Sequence, residues 1–447
     1  METTTENADY CPLNQWGLSA DLSLLRTKLF HKAKAETKFR FYSLYGHVLK
    51  KDTLESAWKR VRANKGAPGI DGISFEDIEK GRDGVDGFLE GLLINLKEST
   101  YRPDPVKRVY IPKKDGRKRP LGIPTIKDRV IQMAVLLIIE PIFEADFLDT
   151  SYGFRPGRSA HDAVEAIRSE LKGGKRVVYD ADLKGYFDTI PHDNLMKAIE
   201  RRIADRSILK LLRIWLKATI VDVDENGKKK WHKSTIGTPQ GGVISPLLAN
   251  IYLHHFEKYF HAMTTSRKIQ ASIVRYADDF VILMKEPMKE MIHHLEDLLE
   301  TRFRLTINRE KTRWVDLRTT GPILDFLGFS FRYERGIHHR NYLCLNVYPS
   351  KKSVKNLKGK IHEFLSYRNS YKPVDQAIAE LNRTLRGWDN YFAVGYRKRA
   401  YSEVNYYLHL KFWKFLTRKS QRKTKLPQGD TWNSYLRKQG LQFLSYA

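Results

Sequence analysis

Two strand-like apolar runs in this chain end in carboxylates. Val177-Val-Tyr-Asp-Ala-Asp-Leu-Lys-Gly-Tyr-Phe-Asp188 carries Asp180, Asp182 and Asp188, and Ser272-Ile-Val-Arg-Tyr-Ala-Asp-Asp-Phe-Val-Ile-Leu283 carries the adjacent pair Asp278 and Asp279. The apolar arms of the second run predict two buried strands with the acids at or beside the connecting turn. Adjacent like charges beside a hydrophobic sheet are costly unless a cation neutralises them. Mg²⁺ suits that need, because it takes carboxylate oxygens together with substrate phosphates rather than an all-protein cage. Two such ions about 4 Å apart activate an attacking hydroxyl and stabilise a leaving oxygen in an in-line displacement at phosphorus. An acid pair by itself is more often a turn or cap, so the surrounding elements decide.

Those elements are basic. With 79 Lys and Arg against 52 Asp and Glu, the net charge is +27, which points to a polyanion, with nucleic acid ahead of an anionic membrane surface. At 447 residues, 41% hydrophobic and 12% aromatic, the chain has the material for two to four cores and is not disordered throughout. Val106 to Thr125 reads as two short strands joined by a basic turn, with Asp115-Gly116 as the hairpin signal. Lys228 to Lys230 mark a second charged hairpin tip between Val221 and Ile236. Asn64 to Gly72, with three glycines and a proline, is a loop lying against a ligand or template. Residues 351–447 hold 21 Lys and Arg against 6 Asp and Glu, and Ser353–Tyr367, Asp375–Phe392 and Val404–Lys419 read as helices of a separate bundle. Most of its aromatics are expected in the bundle core. Arg383 and Arg386 with Trp388 and Tyr391, and Lys411 and Lys414 with Phe412 and Trp413, are expected to follow a nucleic-acid backbone while rings stack on bases.

Other classes fall away. The longest apolar run, Met133 to Ile139, is seven residues, whereas a spanning helix needs about 20. The N-terminus METTTENADY lacks the pattern of a signal peptide, so the expected location is the cytoplasm. Cys11 and Cys344 are far apart in sequence, which supports neither a disulfide framework nor a cysteine zinc site.

The whole array resembles a reverse transcriptase. Tyr276-Ala-Asp-Asp279 resembles the polymerase hairpin and Ala181-Asp-Leu-Lys-Gly-Tyr-Phe187 the strand that brings a further ligand. The resemblance implies Asp182 and Asp278 as metal ligands and Asp279 as the assisting carboxylate, with two Mg²⁺ ions as cofactor and Mn²⁺ as a substitute. It implies that Phe187 lies under the sugar and excludes a 2′-hydroxyl by bulk. Thr238-Pro-Gln-Gly-Gly-Val-Ile-Ser-Pro-Leu-Leu-Ala-Asn250 resembles the segment after the nucleotide site, with Gln240 touching nucleotide or template and glycines admitting the substrate to the backbone. The hairpin residues Lys113, Lys114, Arg117, Lys118 and Arg119 correspond to triphosphate-holding fingers, Arg119 foremost. In Leu305-Thr-Ile-Asn-Arg-Glu-Lys-Thr312, Lys311 would protonate or neutralise departing pyrophosphate; Phe326-Leu-Gly-Phe-Ser330 matches the primer grip.

Within that superfamily the chain resembles the bacterial group II intron reverse transcriptase, or maturase. The carriers are NKGAPGIDGIS, the insert Ser151 to His161, TPQGGVISPLLAN, YADD and the thumb-like Leu381 to Phe392. The expected fold is α+β: a right-hand polymerase with an N-terminal extension over 1–75, fingers over 76–175, a palm with antiparallel sheet over 176–345, a helical thumb over 346–395 and a short basic DNA-binding-like region over 396–447. Implied partners are structured intron RNA, an RNA template with DNA primer, deoxynucleoside triphosphates and a DNA target. The implied function is copying of intron RNA into DNA with assistance to splicing and retrohoming. No Cys-pair His-Asn-His nuclease pattern is present, so no DNA-cutting role is expected. Two alternatives stay open: a domesticated relative serving CRISPR spacer acquisition, phage defence or DNA repair, and an RNA-folding splicing cofactor with little polymerase activity.

Overall fold

The apolar run Met133 to Ile139 lies in the helix Ile126–Glu144, which is buried along nearly its whole length. A helix apolar all round belongs in a core. The computed structural model describes residues 17–112, 118–223, 228–239, 241–336, 342–419, 429 and 431–445. Among these no helix is long and apolar enough to cross a membrane. The start of Ile126–Glu144 is fixed by Thr125, whose side chain accepts from the Asp128 N–H. Asp128 in turn accepts from Tyr101 Oη at 2.6 Å, and Trp215 Nε1 donates to the same hydroxyl at 2.9 Å.

The described strands are, in chain order, β1 (Val106–Pro112), β2 (Lys118–Ile123), β3 (Val177–Ala181), β4 (Thr219–Val223), β5 (Lys229–Lys233), β6 (Ala271–Tyr276), β7 (Asp279–Met284), β8 (Arg313–Asp316), β9 (Leu324–Phe326), β10 (Phe329–Arg335) and β11 (Leu343–Pro349). One four-stranded sheet has the order β6-β7-β3-β8. The chain divides into two compact units, one of Met1–Ser159, Ala181–Val281 and Met288–Arg313, the other of Ala160–Asp180, Ile282–Pro287 and Trp314–Ala447.

In the first unit, helices Ala20–Ala35 and Lys51–Ala63 pack on Ile126–Glu144. Both expected basic hairpins are present there and share a sheet ordered β2-β1-β4-β5. β1 pairs antiparallel with β2 and parallel with β4, while β4 pairs antiparallel with β5.

The second unit contains the antiparallel sheet β11-β10-β9. β9 and β10 are joined by Leu327 (φ +48°) and Gly328 (φ +81°), the two positive φ values that a tight primed hairpin turn requires. Helices Lys351–Phe364, Val374–Tyr391, Lys398–Lys419 and Trp432–Lys438 form a bundle around a core that includes Leu357, Leu381, Tyr401, Leu408 and Phe415. The helix boundaries differ from the periodicity. Lys351–Phe364 starts where Ser350 caps it, accepting from Ser353 N–H, and Lys398–Lys419 starts six residues before Val404, directly after the left-handed break at Gly395 (φ +83°). Phe412, expected among base-stacking rings, is fully buried and belongs to the bundle core. Mixed helix and largely antiparallel sheet make this the α+β fold expected from the sequence.

Candidate active site

The site is built where β3 ends and the β6–β7 hairpin turns. Asp182 follows the last residue of β3, and its carbonyl accepts from Asn308 N–H at 2.8 Å. An isolated antiparallel bridge, Leu183 to Ile307, and the Lys184 N–H to Thr306 carbonyl bond at 2.8 Å tie the same stretch to the segment before Lys311. That pairing places two donors on the Asp182 carboxylate. Asn308 Nδ2 lies 2.9 Å from Oδ2, and Lys311 Nζ lies 3.0 and 3.2 Å from the two oxygens. In this state Lys311 is held on Asp182.

Asp278 is the second residue of the two-residue turn between β6 and β7. The first, Ala277, has φ +59°, where a side chain other than glycine is strained. Asp278 is half-buried while Asp279, the first residue of β7, is exposed. Burial pushes the Asp278 carboxyl above its ordinary range; its own N–H and the Arg119 and Lys311 charges pull it down, and the Asp182 charge raises it. Asp182, Asp278, Arg119 and Lys311 therefore share one electrostatic neighbourhood.

Strain at Ala277 is held by a buried network that sequence reading missed. Arg275, 1% exposed, donates from Nη1 to the Ala277 carbonyl at 2.9 Å and Asn250 Oδ1 at 2.8 Å, and from Nη2 to Ser151 Oγ at 2.6 Å and Glu257 Oε2 at 2.8 Å. The strand itself is pinned by Tyr152 N–H to the Arg275 carbonyl and Arg275 N–H to the Thr150 carbonyl, both 2.9 Å. Gly153 completes the support, since a Cβ there would stand 2.3 Å from Ala277 N. A lone arginine in SIVRYADD and a lone glutamate in an apolar helix were the available signals.

Phe187 is buried in the short helix Tyr186–Thr189 and meets Phe154 edge-on with centroids 6.4 Å apart. Its carbonyl accepts from Thr238 N–H at 2.7 Å, joining it to the Thr238-to-Asn250 segment. The glycine there admits backbone, as a Cβ on Gly241 (φ +107°) would stand 2.2 Å from the Gly122 carbonyl of β2. Lys113, Lys114, Arg117, Gln240 and Cys11 lie outside the described residues. In the bundle, Arg383, Arg386 and Lys414 are exposed. Trp388 is half-buried, with its ring 4.6 Å from Phe392 and 5.7 Å from Tyr401, so core packing accounts for it. Lys411 bonds His362 Nδ1 at 3.1 Å.

Among the described residues no three His, Cys, Asp or Glu side chains are gathered as a metal cluster. In this state Asp182 carries Lys311, and Asp279 is exposed at the start of β7. Asp182 and Asp278 fit a hard divalent cation, because both offer only oxygen, their like charges repel, and burial makes the Asp278 carboxylate seek positive charge.

The helix Ser245–Ser266 behind the turn also sets a pH response. Burial drives His254 down to about 2 and His255 down to about 4. A histidine depressed in the fold is protonated only on unfolding, so stability is complete above the unfolded value near 6.5 and is lost as pH falls below it. The loss from pH 8 to 5.5 should be about 1.4 kcal/mol per histidine. Denaturant melts at both pH values should show His254→Leu losing about that much less than wild type; equal losses would refute the assignment.

Comparison with known proteins bears on the family. A family model described as reverse transcriptase (RNA-dependent DNA polymerase) matches residues 111–333, and one described as group II intron, maturase-specific domain matches residues 354–433. Protein YkfC of Escherichia coli (strain K12) is 35% identical over 328 residues, covering 65% of this chain and 84% of that protein. Group II intron-encoded protein LtrA of Lactococcus lactis subsp. cremoris is 43% identical over 227 residues, covering 49% of this chain and 35% of LtrA. An uncharacterized 91 kDa protein in cob intron of Schizosaccharomyces pombe is 26% identical over 439 residues, covering 81% of this chain and 52% of that protein. The chain thus spans about a third of LtrA and about half of the 91 kDa protein.

Proposed function

Because the chain belongs to the reverse transcriptases that carry a group II intron maturase-specific domain, we propose that it copies intron RNA into DNA and binds that RNA to assist splicing and retrohoming. The observation that carries this reading is the placement of Asp182 at the end of β3, paired with Lys311, and of Asp278 in the β6–β7 turn, where the Arg119, Asp182 and Lys311 charges all act on its carboxyl. A pair of divalent cations, Mg²⁺ foremost, held by Asp182 and Asp278 would supply Lewis acidity for nucleotidyl transfer. Asp279, one residue on, assists.

The chain's own groups have separate tasks. The Arg275 network fixes the Ala277-Asp278 turn, so the carboxylate does not have to be ordered when substrate arrives. Arg119 on β2 brings a guanidinium to face triphosphate charge, and Lys113, Lys114 and Arg117 would extend that basic row. Phe187 offers bulk against a 2′-hydroxyl. Lys311 supplies a mobile ammonium that neutralises first Asp182 and then pyrophosphate. Exposed Arg383, Arg386 and Lys414 provide phosphate contacts for the RNA.

The test is extension of a DNA primer on an RNA template with deoxynucleotides and Mg²⁺ or Mn²⁺. Steady extension is expected, with ribonucleotides used far less well. A folded chain that extends nothing with either ion would refute the polymerase reading. Splicing of the cognate intron by an Asp278→Ala chain would separate the RNA-folding role from synthesis.

A further inference from the structure

Outside the polymerase site, the second unit holds a cavity of about 530 Å³ lined from β10, β11 and the first turns of helices Lys351–Phe364 and Lys398–Lys419. Its charges are unbalanced. Both acids on its wall are already engaged: Glu334 by Arg332 at 3.2 Å and Asn346 Nδ2 at 2.6 Å, and Glu403 by Lys358 at 2.5 Å. Lys351, Lys355 and Arg399 also line it, and none has a carboxylate within 4.0 Å among the described residues. All three are exposed. Three cations on the opening turns of two helices make this mouth favourable for an anion.

The wall is also rigid and carries a ring. Gly395 (φ +83°) lies so close to β11 that a Cβ would stand 2.2 Å from the Val347 carbonyl, and Tyr396 N–H donates to that same carbonyl at 2.6 Å. Tyr396, 53% exposed, is therefore fixed at its backbone while its ring remains open at the cavity. The volume falls in the range of sites for single small ligands, about 300–1,000 Å³.

We propose that this cavity takes one unstacked nucleotide of an RNA strand, with its phosphates on Lys351, Lys355 and Arg399 and its base against Tyr396. Sequence-tolerant recognition of single strands combines these same parts, cationic groups along the backbone and a ring for the base. The site rests on the reading of this chain as an RNA-binding protein, and it is separate from the carboxylates.

The experiment measures affinity of the full chain for a single-stranded 15-nucleotide RNA and for an RNA–DNA template–primer duplex, over a range of salt. Lys355→Glu/Arg399→Glu should bind the single strand at least about tenfold more weakly, with a salt slope shallower by roughly 0.7 for each phosphate no longer neutralised. Tyr396→Ala should weaken it without changing the slope, and Lys355→Arg should bind as wild type does. Extension of saturating template–primer should be unchanged in all of these. Unaltered single-strand affinity in the double variant would overturn the proposal while leaving the polymerase reading intact. Weakening confined to the duplex would overturn it too, by showing that the template–primer occupies the cavity. A wild-type chain that binds no RNA would overturn both.

Discussion

Asp278→Asn is expected to lower RNA-templated incorporation by at least about a thousand-fold, the scale on which loss of a preorganised charge at a phosphoryl-transfer site is felt. The fold should not suffer. Burial is the first cause raising the Asp278 carboxyl above its ordinary range. A carboxylate with a raised folded value costs stability wherever it is ionised, so at neutral pH removing the charge relieves the fold. The variant should melt no lower than wild type, and a cost in stability retained for function is what an active site leads one to expect. Single-turnover extension and a thermal melt on the same preparation check both halves. Activity within tenfold of wild type would refute the role of Asp278; lost activity with a much lower melting point would instead make it structural.

The second large effect is expected at Arg275. Arg275→Ala leaves Glu257, 0% exposed in its side chain, as an uncompensated buried charge and strips partners from Asn250, Ser151 and the Ala277 carbonyl. Breaking a buried pair in this way costs about 3–5 kcal/mol. Arg275→Lys keeps the charge but cannot span four acceptors, since an ammonium lacks the planar fork. An apolar pair, Arg275→Met with Glu257→Leu, should recover much of the stability because neither charge is left alone. It should not recover incorporation, because the Ala277 carbonyl would still be unclamped. Chemical denaturation and primer extension on the three variants separate packing from positioning. If the apolar pair extended primers at the wild-type rate, the clamp would have no part in catalysis.

What the sequence made legible follows from range. The β6–β7 hairpin could be read because apolar arms and a two-residue turn are local, and so could the basic hairpins β1–β2 and β4–β5. Interactions set by tertiary pairing could not. Lys311 meets Asp182 across 129 positions only because Leu183 bridges Ile307, and nothing in either segment announces the other. Gly241 read as a place for substrate, yet its missing side chain makes room for the Gly122 carbonyl. In the bundle, periodicity identified the helices but not which aromatics face inward, so Phe412 looked like a base-stacking ring and is core. Arg275 and Glu257 were each conspicuous as a charge in an apolar run, but only the fold shows that they answer one another.

The central claim is that Asp182 and Asp278 act on one cation. Anomalous diffraction from crystals of the wild-type chain grown with Mn²⁺ and a template–primer measures this directly. A manganese peak within coordinating distance of oxygen atoms of both carboxylates is expected, with Lys311 Nζ displaced from Asp182. Manganese bound elsewhere, with Asp182 still paired to Lys311 and Asp278 without a metal contact, would contradict it.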